Sequence, residues 1–76
     1  MPLITRNELN QKIVTLTKAQ GGVIMIPVHQ IRLLEEVDIS AWYQQANMGT
    51  QVSYMHLSTN VRESIIDIRN AIGWGN

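Results

Sequence analysis

Two arginines in the C-terminal segment carry the clearest candidate chemistry of this 76-residue chain. Arg62 and Arg69 are seven residues apart, so on a continuous helix they would share one flank, about 10 Å apart along the axis. A guanidinium is a planar fork of donors that matches phosphate or carboxylate oxygens. The pair is a candidate anion site, and the alternative is two solvated arginines that pair with carboxylates of the sheet or of a neighbouring subunit.

Apolar and aromatic side chains near these arginines extend the candidate surface. Ile66 lies outside the main stripe of the predicted helix, where it is exposed unless a second subunit, a partner or a wider core face covers it. Two tryptophans and two tyrosines are the only aromatic residues, and such rings anchor interfaces, stack on nucleobases or close a small core. The candidate partner-binding or anionic-ligand residues are Arg62, Ile66, Arg69, Trp42, Tyr43, Tyr54 and Trp74.

Groups for catalysis or metal binding are scarce. His29 and His56 are the only histidines, they are predicted on different strands, and cysteine is absent. Neither histidine has a carboxylate placed to orient it. Glu35, Glu36 and Asp38 are close in sequence, but neighbouring strand residues point to opposite faces, which favours a solvated, charged strand edge. We therefore expect no enzyme activity, no metal and no cofactor.

Composition narrows the class of protein. With 45% hydrophobic residues the chain is too apolar for a disordered tail, and the charged fraction of 16% leaves its surface poor in repelling charge. Six basic residues balance six acidic ones, which argues against binding to nucleic-acid polymers. No window reaches the ~18 apolar residues of a membrane span, and no signal-peptide pattern opens the sequence. We expect one small cytoplasmic domain that forms homo-oligomers.

The C-terminal segment has the apolar spacing of an amphipathic helix. The repeats of four, three and four residues are carried by Val61, Ile65, Ile68 and Ile72. Asn60 and Glu63 form a capping-box-like pair, and Gly73 is a typical helix stop. The sequence predicts a helix over residues 60–72 and a tail over 73–76.

β-branched runs before that helix predict strands. Lys12–Lys18 and Val23–Val28 flank Gly21–Gly22, which predicts a hairpin. Pro27 has no N–H, so the second strand is expected at a sheet edge or a bulge, with a bend there and pairing resumed over Ile31–Val37. The predicted fold is α+β: an antiparallel meander of three or four strands with one C-terminal amphipathic helix packed on one face.

Two segments allow alternatives. Residues 1–10 are predicted as an N-terminal extension, but Thr5 and Glu8 also match a capping box, which favours a helix through residue 18 or a short helical turn at 5–10. Residues 39–43 and 52–57 predict a second hairpin around Asn47-Met48-Gly49. The alternative there is a mobile loop that carries Trp42 and Tyr43 as a lid or docking point. Strands thus dominate residues 11–58.

Four short motifs follow one another over about 60 of the 76 residues. They are Ile13-Val14-Thr15-Leu16-Thr17, the glycine turn, Ile31-Arg32-Leu33-Leu34-Glu35-Glu36 and Val61-Arg62-Glu63-Ser64. In this order the chain resembles the small flagellar proteins of the FlbD type. The resemblance implies a short, cytoplasmic, non-catalytic accessory protein, associated with flagellar function and swarming, that acts through contacts.

The functional expectation is binding without catalysis. The leading hypothesis is a small cytoplasmic interaction or regulatory protein that works as a homo-oligomer and binds another protein. The alternative is a binder, of phage or mobile-element origin, that sequesters an anionic nucleotide-like molecule at a subunit interface. Neither hypothesis involves a membrane.

Overall fold

The computed structural model describes residues 2–74. Within that range the chain forms six strands and one α-helix, so the fold is α+β as predicted. The strands are β1 (Leu3–Arg6), β2 (Lys12–Thr17), β3 (Val23–Pro27), β4 (Ile31–Asp38), β5 (Met48–Tyr54) and β6 (Leu57–Val61), and the helix is α1 (Ile65–Ile72). No helix among residues 2–74 has the length and apolar character needed to cross a membrane.

The strands form two antiparallel meanders, each of three strands. β1, β2 and β3 make the first sheet, and β4, β5 and β6 make the second. The predicted hairpin is confirmed, because β2 pairs with β3 in a register that places Thr17 opposite Val23. Pro27 ends the edge strand β3, and a 3₁₀ turn over Val28–Gln30 makes the predicted bend. β4 forms where pairing was expected to resume, but it begins the second sheet.

The two sheets are joined where β2 and β6 end. Lys18 and Val61 form an isolated antiparallel bridge, and Arg62 donates its backbone N–H to the Thr17 carbonyl at 2.8 Å. The Thr17 nitrogen lies 3.0 Å from each carboxylate oxygen of Glu63, so its N–H donates one hydrogen bond that the two oxygens share. We call these contacts of Thr17, Lys18, Val61, Arg62 and Glu63 the β2–β6 clasp.

One apolar cluster fills the space between the sheets and the helix. Both sheets and α1 contribute to it, through Val14, Leu16, Ile26, Ile31, Val52, Val61, Ile68 and Ile72. Along β2, Val14 and Leu16 are buried at alternate positions, as expected for a strand with one face on a core. Burial of a side chain such as Ile68 is worth about 1.5–3 kcal/mol, so the helix is held mainly by its apolar stripe.

The predicted start of the helix at residue 60 is wrong. Asn60 and Val61 belong to β6, where they pair with Gln51 and Thr50 of β5. The Asn60 side-chain oxygen is buried with no hydrogen-bond partner among the described residues, so it caps nothing. Strand pairing and burial of Val61 decide the conformation here, although its spacing from the later isoleucines fits a helix. The helix begins at Ile65.

The cap of α1 also differs from the predicted pair. Ser64 is the N-cap, and its hydroxyl accepts a hydrogen bond from the Asp67 N–H at 3.1 Å. Glu63, expected in the capping box, instead accepts from Thr17 in the β2–β6 clasp. The predicted end is confirmed, because Gly73 is the C-cap with a left-handed φ of 84°.

The N-terminal segment contributes a strand that the sequence did not predict. Leu3–Arg6 pairs with β2. Because Lys12–Thr17 is itself a strand, the helix alternative through residue 18 is wrong and the strand predicted before the glycine turn is confirmed. Residues 7–10 form a turn rather than the helical turn expected at 5–10. The Asn7 side-chain oxygen holds it by accepting the N–H groups of Leu9 and Gln11, each at 2.9 Å. Of the predicted extension, residue 1 lies outside the described range.

The predicted hairpin in the middle of the chain is also corrected. Residues 39–43 are not a strand, since Ser40–Trp42 is a 3₁₀ turn. β5 begins at Met48, within the expected turn, and its hairpin partners are β4 and β6. The tight turn falls at Met55 and His56, where Met55 has a φ of 53°. The loop alternative for Trp42 and Tyr43 is thus confirmed in its secondary structure.

Candidate functional site

The loop between β4 and β5, residues 39–47, is tied at both ends by hydrogen bonds. Ser40 donates its N–H to Asp38 Oδ1 at 2.8 Å, and its hydroxyl accepts from the Asn47 N–H at 2.8 Å. Ile39 donates its N–H to the Asn47 carbonyl at 3.0 Å. The hydrogen bonds from the Ser40 side chain and backbone hold the pKa of the Asp38 carboxyl below its usual value. Local polar contacts therefore set the loop's path.

Ile39 anchors this loop on the outer face of the second sheet. Its side chain is fully buried, yet it lies outside the main apolar cluster. Gly49 leaves room for it, because a methyl group at Gly49 would lie 2.8 Å from Ile39 Cδ1 and would overlap the Val61 carbonyl oxygen. Gly49 and Val52 are three positions apart on β5 and thus face opposite sides. Since Val52 lines the core, Ile39 packs on the opposite face.

Arg62 and Tyr43 meet beside this anchor. The Arg62 Cζ lies 5.3 Å from the centre of the Tyr43 ring, which is within cation–π range. The backbone of Arg62 belongs to the β2–β6 clasp, where its N–H is bonded to the Thr17 carbonyl. Trp42 precedes Tyr43 at the end of the 3₁₀ turn, with 43% of its surface exposed. We call these three residues the Trp42–Tyr43–Arg62 surface.

The predicted arginine flank on the helix does not form. Arg62 precedes α1, so its sequence spacing from Arg69 is not a helical spacing. Arg69 is exposed in the last turn of the helix. Ile66 is 63% exposed, and on a helical wheel it lies opposite Ile68, which is buried. The alternative of a wider core face that includes Ile66 is therefore wrong.

The remaining two aromatic candidates pack inward. Tyr54 and Trp74 are partly buried against the main apolar cluster. Trp74 follows the C-cap, and its N–H donates to the Arg69 carbonyl at 2.9 Å. The expectation that this ring closes a small core fits that position. The last two residues of the predicted tail, 75 and 76, lie outside the described range.

The acidic residues of β4 and the two histidines lie in three different segments of the chain. Glu35, Glu36 and Asp38 lie exposed along β4, an edge strand of the second sheet. His29 is in the 3₁₀ turn after β3 and His56 is in the β5–β6 turn, so both lie outside the strands that were predicted to carry them. Among residues 2–74 no group of three or more histidine or acidic side chains is arranged to hold a metal ion.

The clefts of the surface lie elsewhere. One of about 330 Å³ separates the start of β1 from α1. Its lining residues are Pro2, Ile4, Asp67, Asn70 and Ala71. None of the seven predicted binding residues lines it.

The Trp42–Tyr43–Arg62 surface has the chemistry of recognition. A guanidinium over an aromatic ring retains its N–H donors for a carboxylate or phosphate. Trp42, which precedes Tyr43 in the chain, adds a large and partly exposed apolar side chain. The surface offers a cation, a phenol and an indole, which are side chains that can bind a partner.

Comparisons of the chain with protein-family models, with curated proteins and with solved structures find no match. The resemblance to FlbD-type proteins therefore stays a prediction, and the geometry of the site is the basis for a functional assignment.

Proposed function

We propose that this chain is a non-catalytic interaction protein of the cytoplasm, active as a homo-oligomer, that binds another protein through the Trp42–Tyr43–Arg62 surface. The observation that carries the proposal is the Arg62 guanidinium 5.3 Å above the Tyr43 ring, next to an exposed Trp42. Tryptophan, tyrosine and arginine are the residue types that contribute most binding energy at protein interfaces.

The surface is held in place before any partner arrives. Hydrogen bonds through Ser40 and the buried Ile39 side chain fix the loop that carries the two rings. The β2–β6 clasp fixes the backbone of Arg62. A backbone that is already ordered loses less conformational entropy on binding, which raises affinity without any added contact. These constraints support a binding role for the loop.

The chemistry of the surface also describes the partner. The Arg62 guanidinium binds a carboxylate or another planar anionic group. The Trp42 indole packs into an apolar recess large enough to cover it. A protein surface that combines an apolar pocket with an acidic rim offers both, and such pockets hold the central anchors of protein interfaces.

Capture from an extract of the cells that encode the chain tests this function. Three baits are compared by quantitative mass spectrometry: wild type, Arg62→Glu and the control Arg32→Glu. Arg32 is exposed on β4, at the end opposite Asp38. Arg32→Glu therefore changes the net charge by the same amount as Arg62→Glu and leaves the Trp42–Tyr43–Arg62 surface unchanged. We expect specific proteins retained by wild type and Arg32→Glu and lost from Arg62→Glu. Equal recovery on all three baits would remove the surface from consideration.

A second candidate function is capture of an anionic, nucleotide-like molecule. The same stacked pair favours it, because Arg62 can bind a phosphate while an adjacent ring stacks on a base. Native mass spectrometry of gently purified protein should then show added mass in the range of a nucleotide. The ligand should also raise the melting temperature of wild type and of Arg69→Ala but not of Arg62→Ala. A spectrum without added mass and no thermal shift with a nucleotide panel would contradict this candidate.

A further inference from the structure

β3 is an open edge of the first sheet. The strand order is β1-β2-β3, and among the described residues no other strand pairs with β3. All five of its residues, Val23-Ile24-Met25-Ile26-Pro27, are uncharged. Proteins usually protect such edges with charged side chains. The edge strand β4 of the second sheet follows that rule, with Arg32, Glu35, Glu36 and Asp38.

The hydrogen-bond phase of the β2–β3 hairpin shows which groups face outward. The Lys18 N–H donates to the Gly22 carbonyl at 2.9 Å, so these two residues form a hydrogen-bonded pair. Bonded and non-bonded pairs alternate along an antiparallel ladder. The backbone groups of Val23, Met25 and Pro27 therefore point away from β2, toward the open edge. The edge offers two N–H donors, because proline has none.

The outer face of the first sheet continues this neutral character. The pairing places eight uncharged residues on it, namely Leu3, Thr5, Ile13, Thr15, Thr17, Val23, Met25 and Pro27. Three large side chains stand out into solvent there, with exposed fractions of 61% for Leu3, 64% for Val23 and 61% for Met25. Two β3 edges can therefore lie side by side without like-charge repulsion between the side chains on this face.

We infer that β3 pairs with β3 of a second copy of this chain, antiparallel about a two-fold axis at Met25. Each Met25 N–H then donates to the Met25 carbonyl of the other copy, and each Val23 N–H donates to the other copy's Pro27 carbonyl. Pro27 falls at the end of the pairing, where its missing N–H removes one bond per copy. The first sheets of the two copies, each of three strands, then form one continuous sheet of six strands.

A second copy fits this edge because the arrangement is self-complementary. A two-fold axis at Met25 matches Val23 with Pro27, so each outward donor meets an acceptor and no charged side chain is buried. A chain of this size buries only about 60% of its unfolded surface, so association supplies burial that one copy lacks. The inference rests on the homo-oligomer in the proposed function, whereas partner capture by the Trp42–Tyr43–Arg62 surface does not depend on it.

Sedimentation equilibrium with matched lysine variants tests the pairing. Met25→Lys places two positive charges next to each other at the two-fold axis. Leu3→Lys is the control, because Leu3 is equally exposed and lies on the same face of the sheet, opposite Thr15 as Met25 is, but on β1, two strands from the paired edge. We expect twice the chain mass for wild type and Leu3→Lys, and the single chain mass of 8.6 kDa for Met25→Lys. A monomeric wild type would overturn the inference. Loss of the dimer in both variants would overturn it too, by indicating contact between sheet faces.

Amide hydrogen exchange on wild type provides a readout that needs no variant to fold. The Ile24 and Ile26 amides are bonded to β2 and should exchange slowly at any protein concentration. The Val23 and Met25 amides should become protected as the concentration rises through the dimer transition. Fast exchange of both in a dimeric sample would overturn the pairing. Arg62→Glu should remain dimeric, so failure of the β3 pairing and failure of partner capture are separate results.

Discussion

Removal of the Glu63 carboxylate should weaken the junction between the two sheets. Both carboxylate oxygens lie 3.0 Å from the Thr17 N–H, in a half-buried position. A hydrogen bond to a charged group contributes about 1.5–3 kcal/mol, because loss of the acceptor also leaves a donor poorly solvated. Small proteins are stable by about 0.05–0.15 kcal/mol per residue, roughly 4–11 kcal/mol for a chain of this length. Glu63→Ala therefore removes a substantial share of the folding free energy.

Urea denaturation at one fixed protein concentration measures this loss, since dimer formation makes stability depend on concentration. We expect Glu63→Ala to lose about 1.5–3 kcal/mol. At about 4–8 °C per kcal/mol for a domain of this size, its melting temperature should fall by roughly 6–24 °C. Glu63→Gln keeps an oxygen acceptor without the charge and should lose about half as much.

The matched control is Glu36→Ala, which removes an exposed carboxylate from β4. A surface change of this kind should alter the free energy of unfolding by at most about 0.5 kcal/mol. If Glu63→Ala is no less stable than Glu36→Ala, the hydrogen bond to Thr17 does not stabilise the clasp, and the reasoning is refuted.

Three further predictions concern the loop and the helix cap. Gly49→Ala should cost about 1–3 kcal/mol in urea denaturation, because its methyl group would overlap the Val61 carbonyl oxygen and lie 2.8 Å from Ile39 Cδ1, and unchanged stability would contradict the close approach of both to Gly49. Ser64→Ala should cost about 1 kcal/mol by loss of the N-cap, with reduced helical circular dichroism, whereas an unchanged spectrum and stability would argue against the cap. The folded-state pKa of Asp38 is below the ordinary value of 3.8. The ionised Asp38 carboxylate therefore stabilises the fold above about pH 3.8, and this stabilisation is lost as the pH falls through the folded-state pKa. The difference in urea midpoint between wild type and Asp38→Asn should therefore shrink in acid, and a constant difference would contradict the Ser40 contacts.

The first hairpin was predictable because its determinants are local. The β-branched runs and the glycine pair that form β2 and β3 are contiguous, and Pro27 marks an edge through its own missing N–H. The end of α1 was equally accessible, since Gly73 acts through its own backbone conformation. The strand β1 was missed because Thr5 and Glu8 match a helix cap, whereas a turn over residues 7–10, held by the Asn7 side chain, returns the chain to β2.

The start of α1 was predicted wrongly because two structures compete for the same residues. Asn60, Val61 and Glu63 satisfy the local pattern of a capped helix. The hairpin with β5, the burial of Val61 and its bridge to Lys18 stabilise the strand instead. The bridge joins β6 to a distant segment of the chain, which a local pattern does not reveal. Ser58, Thr59 and Asn60 are three polar residues in succession, so no apolar–polar alternation marks β6 in the sequence.

The candidate site was predictable in its residue types but not in its arrangement. Arg62, Trp42 and Tyr43 were identified by their chemistry, yet Arg62 was assigned to a helix flank with Arg69. Its contact with Tyr43 follows from the path of the loop, which depends on the packing of Ile39 over Gly49. Such contacts join distant segments, so no local pattern reveals them.

The most direct test of the Trp42–Tyr43–Arg62 surface compares the two tryptophans of one chain by hydroxyl-radical footprinting. Trp42 is exposed on the proposed surface, whereas Trp74 packs partly against the core and serves as an internal reference. The oxidation ratio of Trp42 to Trp74 is measured by mass spectrometry, for the purified protein and for protein mixed with extract of its own cells. We predict that the extract lowers this ratio for wild type and leaves it unchanged for Arg62→Glu. An unchanged ratio for wild type would contradict the assignment of this surface as the binding site.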